Sequence, residues 1–121
     1  MKFFLDTANL EQIQEAATWG MLDGVTTNPT LVSRENEPFE DLIKKICAAV
    51  PGPVSVESVS TQAEDIIAEA RELAKLSDNV VVKIPINIEG LKAIKALSQE
   101  GVHINTTLIF NAMQLSLIHI S

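Results

Sequence analysis

Two hydrophobic periods alternate along the chain. Short apolar runs with strand character cover residues 2–5, 24–27, 54–59, 80–84 and 102–108. Between them, apolar positions recur at helical spacing. Leu10, Ile13, Ala16 and Ala17 share one face after Asn9, whose side chain suits an N-cap. Phe39, Leu42, Ile43, Ile46 and Val50 share another, opened by Pro38 and stopped by Pro51, Gly52 and Pro53. A third helix carries Ile66, Ile67, Ala70, Leu73 and Ala74, with Ser60 or Thr61 as its expected cap and an end near Lys75. A fourth runs over residues 89–99 through Leu91, Ile94 and Leu97, with Gly101 as a C-terminal cap. Asn28 and Pro29 read as a turn or loop.

The order is β-α-β-α-β-α-β-α-β, which argues for parallel βαβ units and an α/β fold. Strand starts recur about every 25 residues, although the sequence itself does not repeat. Eight such units need about 200 residues, near the small end for a (β/α)8 barrel. A chain of 121 residues has room for five strands. An open doubly wound sheet and a barrel cut short both fit this order. No G-x-G-x-x-G follows the first strand, which argues against dinucleotide binding.

Composition narrows the partners. Apolar residues make up 46% of the chain, with five Gly and five Pro, a globular rather than a disordered balance. Sixteen acidic residues against nine basic give a net charge of −7. That argues against nucleic acid as a general partner. It leaves room for a small phosphorylated substrate, which needs only one or two local cations. No apolar stretch reaches the ~20 residues of a membrane span, and no signal peptide is expected, since FFLDT opens as a strand without a basic n-region. Cys47, the single cysteine, lies on the apolar face of KKICAAV as a structural thiol. It allows no intramolecular disulfide and fits a reducing cytoplasm. His103 and His119 are not spaced as a metal pair, and no metal cluster is expected. A Ser-His-Asp reading lacks a nucleophile elbow. Trp19 and the four Phe are expected in the core.

Polar residues then appear at the C-terminal end of every expected strand. Asp6 ends the first; Thr26, Thr27 and Asn28 end the second. Glu57 lies in the third, Lys83 in the fourth, and Asn105, Thr106 and Thr107 in the fifth. Parallel α/β folds build their sites on that edge. Lys83 stands out, because VVVKIP reads as a strand buried on both faces. It is either a lysine snorkelling to water or an amine nucleophile in a mostly apolar pocket. A Schiff base needs the neutral amine, so a carboxylate should stand near the substrate carbons and not against the resting amine. Asp6 could equally cap a turn. Glu57, between valines in SVESV, is harder to explain that way.

FLDTANL, DGVTTNPTL, VKIP and INTTLIF, in this order and spacing, resemble the transaldolase family in its small bacterial and archaeal form. The resemblance covers residues 1–114. It implies a (β/α)8 barrel, here its first five strands and four helices, with no metal or organic cofactor. It also implies transfer of a dihydroxyacetone unit between sugar phosphates in the pentose phosphate pathway. Lys83 would form the imine with the ketose donor. Asp6 would act on the donor hydroxyl proton during carbon–carbon cleavage. Glu57, with a water near Thr107, would manage protons as the imine forms and hydrolyses. Asn28, Thr26 and Asn105 would orient the donor's hydroxyls. Full-length members are expected to form homo-oligomers.

Fructose-6-phosphate aldolase shares the barrel and the lysine. It carries glutamine where this chain has Glu57 and a differently composed fifth strand, so transaldolase is the favoured reading. A non-catalytic α/β binding module is the other alternative. The family's phosphate-binding Ser and Arg, in SPF-x-GR after the sixth strand, lie beyond this chain. An N-terminal half, inactive or nearly so alone, is the expectation. Residues 115–121 depart from the family's Ala-rich helix and resemble translated adapter sequence.

Overall fold

The computed structural model describes residues 2–107. Its elements in chain order are β1 (Phe4–Asp6), α1 (Leu10–Thr18), β2 (Gly24–Thr26), α2 (Pro29–Ser33) and α3 (Phe39–Ala49). They continue with β3 (Val54–Glu57), α4 (Ala63–Ala74), β4 (Val80–Pro85), α5 (Ile88–Ser98) and β5 (Ile104–Thr107). Three helices start on an asparagine cap. Asn9 Oδ1 accepts from Gln12 N, Asn28 Oδ1 from Leu31 N, and Asn87 Oδ1 from Gly90 N. Each satisfies an amide that the first turn leaves without a partner.

All strand pairings are parallel, and every strand lies beside its neighbours in sequence, in the order β1-β2-β3-β4-β5. This order separates the two architectures. Crossovers between parallel strands are right-handed. Stepping always to the same side therefore puts every connecting helix on one face. A doubly wound sheet reverses its strand order to cover both faces. No reversal occurs here, so the sheet is a barrel wall.

Burial follows from this one-sided covering. Val25, Val54, Val56, Val80, Val82 and Ile84 are buried in one cluster with helix residues such as Ile13, Ile43, Ile46, Ile66 and Leu97. Along β4, buried and half-buried residues alternate: Val80, Val82 and Ile84 face the helices, while Val81, Lys83 and Pro85 face the other way. The expectation that Lys83 lies in a strand buried on both faces is thus corrected. Its side chain is half-buried on the face that carries no described helix.

Three other local expectations change. Asn28 and Pro29 open the short helix α2, because proline suits a first turn whose amides need no partner. Neither Ser60 nor Thr61 caps α4. Gln62 holds that position without a side-chain bond, and Glu89 Oε1 reaches over from α5 to accept from Ala63 N at 3.0 Å. The described aromatics are also more exposed than a core assignment implies. Trp19 is the C-cap of α1, past its last buried turn, and is 67% exposed. Phe4 stands on the uncovered face at 50%, where a Cβ on Gly24 would clash with its ring. Phe110 lies outside the described residues, as does the tail.

Candidate active site

Strand register decides which polar groups meet. Glu57 pairs with Lys83, and Lys83 with Asn105. In-register residues of neighbouring strands share a face, so these three form one row on the uncovered side. A second row lies one pleat nearer the strand starts, where Asp6 pairs with Thr26, Thr26 with Ser55, and Ser55 with Val81. Thr26 Oγ1 donates to Asp6 Oδ1 at 3.0 Å. Thr107 pairs with Pro85, one pleat beyond the lysine row. The description of Thr107 stops at its backbone.

The rows bring Glu57, Lys83 and Asn105 side by side, with Asp6 and Thr26 beside each other. They do not bring Asp6 to Lys83. Three strand spacings separate β1 from β4, an arc of about 14 Å. Closing a barrel would shorten that arc to a chord, leaving a gap suited to a small molecule rather than a direct contact.

Ion pairs among the described residues are Lys45–Glu37, Arg71–Glu100, Lys75–Glu72 and Lys92–Glu89, and none involves Lys83. Burial pushes the Cys47 thiol up. The Ala63 amide, followed by Lys92, pulls the Glu89 carboxyl down. No cluster of three or more His, Cys, Asp or Glu suited to a metal occurs among the described residues. Nor does any described helix have the length and apolarity to cross a membrane.

Two residues that follow β2 have structural duties. Thr27 is buried, and its hydroxyl donates to Ser55 O at 2.7 Å, tying β2 to β3 from the helix side. Asn28 uses one lone pair of Oδ1 on the α2 cap, which leaves its amide nitrogen and the second lone pair for a ligand. Asn28, Glu57, Phe39, Val56, Val59 and Glu69 are among the residues bordering a cavity of about 300 Å³ between α2, α3 and α4. Sequence reading passed over Ser55, which shares the face of Thr26 and Val81. The period of two from Glu57 would have identified it.

Comparison with known proteins places these residues in a family. The sequence model described as Transaldolase/Fructose-6-phosphate aldolase matches residues 3–119. A probable transaldolase of Petrotoga mobilis is 59% identical over 114 residues, covering 94% of this chain and 52% of the relative. Probable transaldolases of Aquifex aeolicus and Kosmotoga olearia are 58% and 55% identical over the same length, with the same coverage. The chain spans about half the length of the curated relatives it matches.

Proposed function

The chain belongs to the transaldolase/fructose-6-phosphate aldolase family, and we propose that the complete protein is a transaldolase working through a Schiff base on Lys83. The observation that carries this reading is the in-register row Glu57, Lys83 and Asn105 on the sheet face opposite the helices. An amine there can reach a carbonyl carbon placed over the sheet, with an acid on one side and an amide on the other.

In the proposed sequence, Lys83 Nζ adds to the ketone carbon of a ketose phosphate. The carbinolamine loses water to give an iminium. Glu57, with a water near Thr107, supplies and removes the protons of that exchange. Asp6 then takes the proton from the hydroxyl two carbons from the iminium. The bond joining that hydroxyl's carbon to the carbon next to the iminium breaks, an aldehyde leaves, and the electron pair remains as an enamine on Lys83. The enamine attacks an acceptor aldehyde, and water releases the new ketose. Asn28, Thr26 and Asn105 orient the donor's hydroxyls. No cofactor is needed, because the iminium is the electron sink.

The proposed donors and acceptors are sedoheptulose 7-phosphate with glyceraldehyde 3-phosphate, giving erythrose 4-phosphate and fructose 6-phosphate in the cytoplasm. Alone, the 121-residue chain is proposed to be inactive or nearly so, since open barrel edges leave strand hydrogen bonds unpaired. The test uses the protein completed in frame to the length of its relatives. Borohydride reduction with fructose 6-phosphate should attach the donor's carbon unit to the peptide containing Lys83. Absence of label, or label that survives Lys83→Ala, overturns the role. Transfer to erythrose 4-phosphate, against release of free dihydroxyacetone, separates transaldolase from aldolase.

A further inference from the structure

β3 delivers Glu57 to the site, and the chain then leaves the sheet through residues 58–62. The strand ladder holds this segment only at its first residue, where Ser58 N donates to Lys83 O at 2.9 Å. The next two residues are held by one side chain. Glu69, on α4, accepts from Val59 N through Oε1 at 2.9 Å and from the Ser60 hydroxyl through Oε2 at 3.4 Å. These are the only hydrogen bonds made by residues 59–61 among the described residues. Packing does not replace them: Val59 is 64% exposed, and Gln62 makes no side-chain cap bond. Glu57, Val59 and Glu69 border the same cavity of about 300 Å³.

We infer that Glu69 is a positioning residue for the reaction proposed above: its two oxygens latch the β3–α4 loop and thereby hold Glu57 in its orientation beside Lys83. The inference rests on that functional reading. A carboxylate accepting a backbone N–H is a charge-assisted bond, stronger than a neutral one. A hydroxyl on the second oxygen fixes the plane of the group. The latch lies where it matters most, because the last strand residue before the loop is the one that must move protons. Small misplacements of such a group are costly, about 10²-fold for 1 Å.

The test measures the completed protein in a double-mutant cycle with Glu57→Gln. Glu69→Ala should lower kcat about 10-fold with KM within about 2-fold, since the latch orients a proton-transfer group and does not bind substrate. Ser60→Ala, which removes one arm, should lower kcat about 2-fold. In the Glu57→Gln background both losses should vanish. Losses of equal size with and without Glu57 overturn the inference, as does an unchanged kcat in a folded variant. Should Glu69→Ala not fold, Ser60→Ala and its cycle decide alone. In the 121-residue chain, amide exchange at Val59 should speed up at least about 10-fold on Glu69→Ala, and an unchanged rate counts equally against the latch. Wild-type protein without transaldolase turnover sinks the functional reading instead, while the exchange result still judges the latch.

Discussion

The two ends of β4 are treated in opposite ways. Just before the strand, Asn79 is enclosed in hydrogen bonds. Its Nδ2 faces the carbonyls of Cys47, Val50 and Gly52 at 3.0 to 3.3 Å, and its Oδ1 accepts from Ser77 at 2.6 Å. Four residues later, Lys83 has no ion-pair partner among the described residues. The first end spends its polar groups on the protein, gathering the exit of α3 onto the start of β4. The second withholds them, as do Glu57 and Asn105 on the same face. Barrels separate stability at one rim from chemistry at the other, and under the proposed function that separation falls within one strand.

Substitutions at the two ends should therefore fail differently. Lys83→Met in the completed protein should cost at least about 10³ in transaldolase turnover. Its unfolding midpoint should stay equal or rise, because a half-buried amine is replaced by an apolar chain of similar length. A Lys83→Met protein that unfolds would show that the lysine supports the sheet, and the contrast would collapse. At the other end, Asn79→Ala removes the donor from three backbone carbonyls. Unsatisfied groups of this kind cost about 1–3 kcal/mol, so a loss of about 2–3 kcal/mol in urea unfolding is expected. Turnover per folded molecule should not change. A specific-activity loss at temperatures where Asn79→Ala is fully folded would mean that the base of the strand also tunes the site.

The same contrast governs what could be read from sequence. VVVKIP identified the strand, and strand-end polar residues identified the rim, because period and position survive in one dimension. What they could not give was the covering of the sheet. Lys83 reads as buried on both faces because valines flank it in sequence. The structure puts those flanking side chains on the other face. Ser60 and Thr61 read as caps by residue type alone. The bond is made instead by Glu89, 26 residues from the amide it accepts, a partnership no local window contains. Glu69 was unremarkable for the same reason, an acid on a helix whose partners lie in the preceding loop.

Glu89 is where the contrast is softest and the expected effect smallest. It stands on the rim side, yet its carboxylate does structural work, accepting from Ala63 N and pairing with Lys92 at 3.2 Å. Both interactions hold its pKa below the ordinary 4.5. A carboxyl depressed in the folded state stabilises at pH above its unfolded value and loses that contribution as pH falls through the folded one. Glu89→Gln should therefore lower the unfolding midpoint at neutral pH by a small amount, about 1–3 °C, with the difference from wild type fading below pH 4.5. Salt at about 0.5 M should remove the share due to Lys92, which is exposed and screened, and leave the share due to the Ala63 bond. A difference that persists unchanged to about pH 3 would assign the effect to shape rather than charge. Turnover that falls with Glu89→Gln at neutral pH, in fully folded protein, would move this residue from the scaffold to the site.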